Sequence, residues 1–128
     1  TIANVIVNEL NKPYRFLNAT ISKITDFNIV IEEAKMLGEM ILVIDEIHRM
    51  NKDKQDILLP HIESGLIILI GLTTSNPYHK INPAIRSRCQ IFELKELTNS
   101  DIEDGIKKAP LRVLFSVGSW QLSVELPR

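Results

Sequence analysis

The chain has 128 residues, a length that suits one ordinary domain or a piece of a larger one and argues against two independent domains. Hydrophobic residues make up 45% of it and charged residues 24%, proportions that are typical of a folded soluble protein and exclude disorder over the whole chain. The 15 Lys and Arg residues and 16 Asp and Glu residues give a formal net charge of -1, so the overall charge does not indicate nucleic-acid binding.

The spacing of apolar residues predicts two helices and two strands in the first third of the chain. Apolar residues from Ile2 to Leu10 have helical spacing, and Pro13 ends that helix. The run Met40–Glu46 is apolar without alternation until two carboxylates end it, which is typical of a strand buried on both faces. The predicted elements are a helix over 2–10, a strand over 14–18, a helix from Ile24 to about Gly38, and a strand at Met40–Glu46.

The alternation of helix and strand continues as far as residue 94. Asn51 can cap a third helix, and Pro60, which lacks a backbone N–H, is expected to kink it. Asn82 and Pro83 have the order of an N-cap and a first helical position. The predicted elements are a helix from Asn51 to about Glu63, a strand at Leu66–Leu72, a short helix that ends at Arg88, and a strand at Gln90–Leu94.

This alternation predicts an α/β fold, in which right-handed crossovers join a parallel sheet with helices on both faces. Ligands of such sheets bind at the carboxyl ends of the strands. Thr98 and Asp101 have the spacing of a capping box, so residues 98–109 are predicted to begin a helical subdomain. Residues 110–128 lose the helical period and stay unassigned.

The cysteine content and the hydropathy of the sequence indicate the cellular compartment. The lone Cys89 excludes an internal disulfide, and the three scattered His residues do not have the spacing of a metal site. The longest apolar runs, Met40–Ile44 and Leu66–Ile70, are too short to span a membrane, and no signal-peptide pattern begins the chain. We therefore expect a cytoplasmic protein.

Asp45 and Glu46 follow four apolar residues, which is the pattern of a Walker B element. In that chemistry one carboxylate holds the Mg²⁺ of a bound ATP, directly or through water, and the next orients the attacking water. An acidic strand end that faces solvent explains the same two residues, and the pattern alone leaves both interpretations open. His48 and Arg49 can contact nucleotide or a neighbouring subunit, or form a surface pair.

Two further elements end in polar residues that suit a phosphate site. Thr73 and Thr74 follow the next buried strand, where a hydroxyl can bind a phosphate or the attacking water, although ordinary turns also use Thr. Arg88 ends the short helix and can reach a phosphate, and a solvated surface arginine is the alternative. Arg86 lies about 200° away around that helix, so both arginines cannot face one phosphate.

No P-loop is present in the sequence. That loop has the pattern Gly-x-x-x-x-Gly-Lys-Ser/Thr, and none of the five glycines begins it. The backbone N–H groups that would surround the phosphates are therefore missing from the predicted site.

Several segments form longer motifs than the Walker B pattern. They are Ile41–Lys52, Gln55-Asp56, Leu58–Glu63, Gly65, Leu69–Thr74, Asn76-Pro77 and Ser87–Cys89. Together they resemble the AAA+ ATPases of the replication-associated recombination protein A family (RarA, also MgsA), whose eukaryotic relative is the Werner-helicase-interacting protein. The resemblance covers about residues 1–109, and its Leu-Leu-Pro-His and Gly-Leu-Thr-Thr-x-Asn-Pro motifs narrow it to this clamp-loader-like branch.

The resemblance implies a P-loop NTPase core that is truncated before the Walker A motif. In the family, that loop and the strand before it directly precede a helix like the one at residues 1–10. The missing strand is central in the family's sheet, between the strand that carries sensor 1 and the last strand, so its loss is expected to leave a gap. The implied organisation is a partial AAA+ core at 1–97, the start of a helical lid at 98–109 and an unassigned tail at 110–128.

The same resemblance implies a role for each candidate residue. Asp45 would be the aspartate associated with Mg²⁺ and ATP, the two implied cofactors, and Glu46 would activate water. Thr74 would be sensor 1. Arg88, in Ser-Arg-Cys, would be the arginine finger that reaches the ATP of the next subunit, whereas Arg86 stands where the family has an uncharged residue and receives no role.

The implied function is that of a DNA-dependent ATPase in replication-fork maintenance, recombination and DNA repair. The implied partners are DNA, further copies in a ring that is a tetramer in intact family members, and replication proteins such as single-strand-binding protein. The chain alone is expected to be inactive because it lacks the P-loop. A nucleotide-free AAA+-like interaction module stays open as the alternative. A receiver-like domain with Asp45 as phosphoacceptor is disfavoured, because that fold needs an early acidic pair and a late lysine on particular strands.

Overall fold

The computed structural model describes residues 2–74, 81–94 and 111–116, and it confirms the predicted alternation of helix and strand up to residue 94. The predicted start of the lid at 98–109 lies outside the described residues. In chain order the elements are helix α1 (Ile2–Leu10), strand β1 (Tyr14–Asn18), helix α2 (Ile24–Leu37), strand β2 (Met40–Asp45), a 3-10 turn (Ile47–Arg49), helix α3 (Lys52–Glu63), strand β3 (Ile67–Thr73), helix α4 (Pro83–Arg86), strand β4 (Cys89–Leu94) and strand β5 (Leu111–Ser116).

Local sequence explains where the helices begin and end. The Asn51 side chain accepts a hydrogen bond from the backbone N–H of Lys54 at 3.0 Å, which caps α3. Asn82 caps α4 in the same way, although that helix ends at Arg86 rather than at the predicted Arg88. Gly38 follows α2 with a φ of 87°, a left-handed conformation that glycine adopts without steric cost.

The strands form one sheet in the order β1-β2-β3-β5-β4. β1, β2 and β3 are parallel, and β5 is antiparallel to both β3 and β4. β4 therefore runs in the same direction as β3, and the four predicted strands are mutually parallel, as predicted. The antiparallel strand comes from the segment that the sequence left unassigned.

β5 occupies the position where the resemblance predicted a gap. It lies between β3 and β4, with Ile70 opposite Phe115 on one side and Cys89 opposite Ser116 on the other. The Ser116 hydroxyl also accepts a hydrogen bond from the backbone N–H of Leu69 at 2.7 Å. The expected gap was therefore wrong for this chain, because a later segment pairs with the backbone groups of both flanking strands.

The two faces of the sheet bury two apolar clusters. Alternate residues of β2 enter different clusters, as the unbroken apolar run of that strand predicted. On the α1 face the buried residues are Ile6, Val7, Ile41, Val43, Ile68, Ile70 and Val113. On the α2–α4 face they include Phe27, Ala34, Met40, Leu42, Ile44, Leu58, Leu69, Ile85 and Leu114. Among the helices in the described ranges, none has the length and hydrophobicity needed to cross a membrane.

Candidate functional site

Asp45 is the last residue of β2, at the carboxyl edge of the parallel strands. Its side chain is exposed, and its Oδ1 accepts a hydrogen bond from the backbone N–H of Glu46 at 2.9 Å. Within the described residues, Oδ2 has no hydrogen-bond partner. An exposed carboxylate with one open oxygen suits Mg²⁺, which keeps several waters and binds proteins through one or two carboxylates. The side chain therefore fits the ion that the resemblance implies.

Glu46 turns the chain sharply after β2. Its φ of 54° lies in the left-handed region, which is uncommon for a residue other than glycine and recurs at functional sites. The 3-10 turn Ile47–Arg49 follows directly. The turn brings the side chain of His48 back to Glu46, whose Oε2 lies 3.2 Å from the imidazole Nε2.

His48 joins the ends of two neighbouring strands. Its side chain is only 9% exposed, and its Nδ1 lies 2.7 Å from the hydroxyl of Thr73, the buried last residue of β3. Glu46, His48 and Thr73 thus form a continuous chain of polar contacts, here called the His48 link. The sequence identified all three residues as polar candidates, but it did not indicate that His48 lies between the other two.

Gly71 makes room for the turn that carries His48. A Cβ atom at this position would lie 2.5 Å from Cδ1 and 3.2 Å from Cγ2 of Ile47, a buried side chain between Glu46 and His48. The 3-10 turn therefore packs closely on the backbone of β3. No separate role was predicted for Gly71, because this close approach depends on a contact between distant parts of the chain.

Buried Gln55, a residue of α3, connects the loop before α3 with the N-cap residue of α4. Its amide nitrogen donates to the carbonyl of Met50 at 2.9 Å, and its carbonyl oxygen accepts from the backbone N–H of Asn82 at 2.7 Å. Both contacts use buried or partly buried groups, where an unmade hydrogen bond would be costly. Gln55 therefore fixes the end of the turn after β2 relative to the start of α4.

Thr74, predicted to be sensor 1, follows β3 and is exposed. It is Thr73, one residue earlier, that enters the His48 link. The two threonines thus differ in surroundings. Thr73 is buried against the His48 imidazole, and Thr74 is exposed just after the end of the strand.

Arg88, the predicted arginine finger, lies at the amino end of β4 rather than at the carboxyl edge that carries Asp45 and Glu46. Its Nε is 3.3 Å from Oε1 of Glu63, the last residue of α3, and both side chains are about half exposed. α3 begins after β2 and ends before β3, so its last turn has returned to the opposite end of the sheet. The structure therefore does not bring Arg88 together with the acidic pair of its own chain.

β5 adds a basic residue to the carboxyl edge. Arg112 is paired in register with Thr73 on one side and with Glu93 on the other. Side chains directly opposite one another in an antiparallel pair lie on the same face of the sheet. Arg112 was not predicted as a site residue, because no local pattern indicates which strands its segment pairs with.

The other reactive side chains support no separate chemistry. Burial raises the pKa of the Cys89 thiol from 9.0 to about 12, so its nucleophilic thiolate is scarce at neutral pH. In the part of the chain that the structure describes, no cluster of three His, Cys, Asp or Glu side chains is placed to hold a metal ion.

Comparison with known proteins shows the family of the chain. The profile of the family described as "ATPase family associated with various cellular activities (AAA)" matches residues 1–97. Replication-associated recombination protein A of Bacillus subtilis (strain 168) is 49% identical over 125 residues, which cover 98% of this chain and 30% of that protein. That match extends beyond residue 109, where the resemblance drawn from the motifs ended.

Further relatives come from distant organisms. ATPase WRNIP1 of Dictyostelium discoideum is 45% identical over 112 residues, which cover 84% of this chain and 13% of that protein. Replication-associated recombination protein A of Escherichia coli (strain K12) is 39% identical over 113 residues, covering 85% of this chain and 25% of that protein. The chain thus spans less than a third of the length of these relatives. By its family profile and its mostly parallel sheet, the chain belongs to the AAA family and has a core of the P-loop NTPase type.

Proposed function

We propose that this chain is part of the ATP-hydrolysing core of a DNA-dependent ATPase that acts in replication-fork maintenance, recombination and DNA repair. The observation that carries the proposal is the acidic pair at the end of buried β2, where one carboxylate is exposed and the other is held by the His48 link. Asp45 would hold Mg²⁺ together with bound ATP, and the ion would neutralise charge on the phosphates. Glu46 would orient the attacking water and accept its proton.

Thr74 is proposed as sensor 1. Its exposure beyond the end of β3 supports this role, because a hydroxyl there can contact a phosphate without leaving a buried hydrogen bond. Thr73 is already engaged with His48, so it is the poorer candidate for direct phosphate contact.

Arg88 is proposed to act on the ATP of a neighbouring subunit. Its place at the amino end of β4 supports this role, because the carboxyl edge of its own sheet is on the opposite side. The proposal therefore includes a ring of several copies, with a tetramer as the expected form. DNA, single-strand-binding protein and a cytoplasmic location complete the proposal, and the names of the replication-associated relatives support a role at replication forks.

A nucleotide-free AAA+-like interaction module is the second candidate. It is favoured by β5, which occupies the sheet position that the family gives to the strand before the P-loop. If the full-length protein keeps β5 in that position, no strand can lead into a P-loop there. The two candidates thus differ in whether the full-length protein binds ATP.

The test uses the full-length protein, including any residues encoded upstream of Thr1. We expect it to bind Mg·ATP and to hydrolyse ATP faster when DNA is present. Glu46→Gln should keep binding but slow single-turnover hydrolysis, because the amide keeps the size of the side chain and loses the charge that polarises water. Asp45→Asn should instead weaken the dependence on Mg²⁺.

Two results would contradict the proposal. A Glu46→Gln rate within about twofold of wild type, a change in barrier of under about 0.5 kcal/mol, would remove Glu46 from the hydrolytic role. Failure of the wild-type full-length protein to bind ATP would favour the interaction module.

A further inference from the structure

We infer that His48 is a positioning residue for Glu46, and that it ties the carboxylate that activates water to the end of β3. The inference rests on the proposed ATPase function. The Walker B pattern does not include His48. The inferred role of His48 is to restrict the rotation of the Glu46 side chain.

The geometry of the imidazole supports this role. The Glu46 side chain is 40% exposed and belongs to a residue with a left-handed backbone conformation, and among the contacts of the described residues only His48 restrains the direction of its carboxylate. The His48 ring, by contrast, is 9% exposed and cannot turn freely. Because the buried ring holds its Nε2 at 3.2 Å from Oε2, it restrains a carboxylate that would otherwise rotate in water.

Proton placement explains why histidine suits this position. A carboxylate only accepts hydrogen bonds, so the imidazole nitrogen that faces Glu46 must carry the proton. In the neutral ring, Nδ1 is then an acceptor for the Thr73 hydroxyl, 2.7 Å away. The Glu46 carboxylate therefore selects the tautomer, and the Thr73 hydroxyl, which can donate or accept, fits it by donating to Nδ1. Histidine combines a donor on one side and an acceptor on the other within one rigid ring.

The link has a mechanical consequence for the site. Thr73 is buried at the end of β3, and Thr74 directly follows it at the proposed phosphate contact. A displacement of the β3 end would move Thr73, and the rigid ring would pass that displacement to the Glu46 carboxylate. The two halves of the site, on β2 and on β3, are thus held in one geometry.

Steady-state kinetics of the full-length protein test the inference. We expect His48→Ala to lower kcat for ATP hydrolysis by on the order of tenfold to a hundredfold, with KM for ATP nearly unchanged, because misplacing a reacting group affects the chemical step. His48→Gln should recover part of the loss, since its amide N–H can still donate to Glu46. His61→Ala, a second histidine that has no place in the site, is the matched control and should behave as wild type.

Thr73→Val tests the other half of the link. Valine keeps the shape of threonine and loses the hydroxyl, so kcat should fall, and the effect should shrink when His48 is already Ala. Nitrogen NMR of the imidazole in the wild type should show the proton on Nε2. Thermal unfolding of each variant separates loss of folding from loss of positioning.

Each failure has a distinct meaning. If the wild-type protein does not hydrolyse ATP, the proposed function is wrong and the inference falls with it. If the wild type is active but folded His48→Ala keeps kcat within about twofold, only the inference is overturned. The same holds if His48→Gln is as slow as His48→Ala, or if the proton is found on Nδ1.

Discussion

Arg88 contacts Glu63 of its own chain, whereas its proposed partner is the ATP of a neighbouring subunit. Its ion pair with Glu63 joins two side chains that are about half exposed. Pairs this exposed contribute only about 0–1 kcal/mol, because water and salt screen them. A phosphate of a neighbouring subunit can therefore replace Glu63 at little cost, and the pair does not prevent Arg88 from acting in trans.

Mixing experiments test that role in the full-length protein. Arg88→Ala should leave nucleotide affinity nearly intact and reduce turnover, since arginine fingers in trans contribute on the order of 10³–10⁵ in rate. Mixed rings of Arg88→Ala and Glu46→Gln subunits should recover activity, because an intact finger then meets an intact water site. With mixed assembly confirmed, no recovery at any ratio would indicate a cis or structural role.

Cys89 gives a prediction about pH. Its pKa of about 12 lies above the ordinary thiol value because burial disfavours the charged thiolate. At pH 8 only about one thiol in ten thousand is then ionised, so alkylation by iodoacetamide should be slow in the folded chain. The rate should keep rising between pH 8 and pH 10, whereas the chain unfolded in urea should level off above about pH 9. A plateau near pH 9 in the folded chain would show that the surroundings of Cys89 do not raise its pKa.

At the scale of elements, the 3-10 turn that follows the acidic pair packs through Ile47 against Gly71 of β3. Gly71→Ala should destabilise the chain by about 1–3 kcal/mol, because the added methyl group overlaps the end of the Ile47 side chain. Ile47→Val removes the nearest overlapping carbon and should restore part of that loss in the double variant. Urea unfolding of both single variants and the double variant measures the coupling, and purely additive losses would contradict the contact.

An element was predicted correctly where the residues that determine it lie close together in the sequence. α3 was predicted with its cap at Asn51 because capping, periodicity and chain direction all involve residues within a few positions of one another. β2 was predicted as a two-sided buried strand for the same reason. The His48 link, the Gly71 contact and β5 were not predicted, because each depends on at least one contact between residues more than 20 positions apart and no pattern in either segment specifies that contact.

For the whole molecule, the lack of a P-loop in the sequence predicts weak binding of ATP. The chain as given carries Asp45, Glu46, Thr74 and Arg88, but its sequence has no P-loop to surround the β and γ phosphates. It should therefore not bind Mg·ATP at micromolar concentrations, and Mg²⁺ alone should bind weakly. Calorimetric titration measures both, and micromolar affinity would show that other groups, such as Arg112, form a phosphate site.

The contribution of β5 to stability is also measurable. Leu114 is fully buried in the cluster on the α2–α4 face, so Leu114→Ala should lower the free energy of unfolding by about 2–5 kcal/mol. Leu37→Ala is the matched control, since that leucine is 57% exposed and should cost less than about 1 kcal/mol. Equal losses at the two positions would show that β5 does not pack in the sheet.

The position of β5 between β3 and β4 also sets the order in which the sheet can assemble. β1, β2 and β3 follow one another both in sequence and in the sheet, so they can pair as soon as they have been synthesised. β4 has no neighbour in the described sheet except β5, and the contact between Leu69 and Ser116 spans 47 positions. Forming such distant contacts is slow because the chain loses the entropy of loop closure before the strands form stabilising hydrogen bonds. Until residues 111–116 arrive, the facing edges of β3 and β4 are unpaired, and a strand of another chain can bind there and begin aggregation.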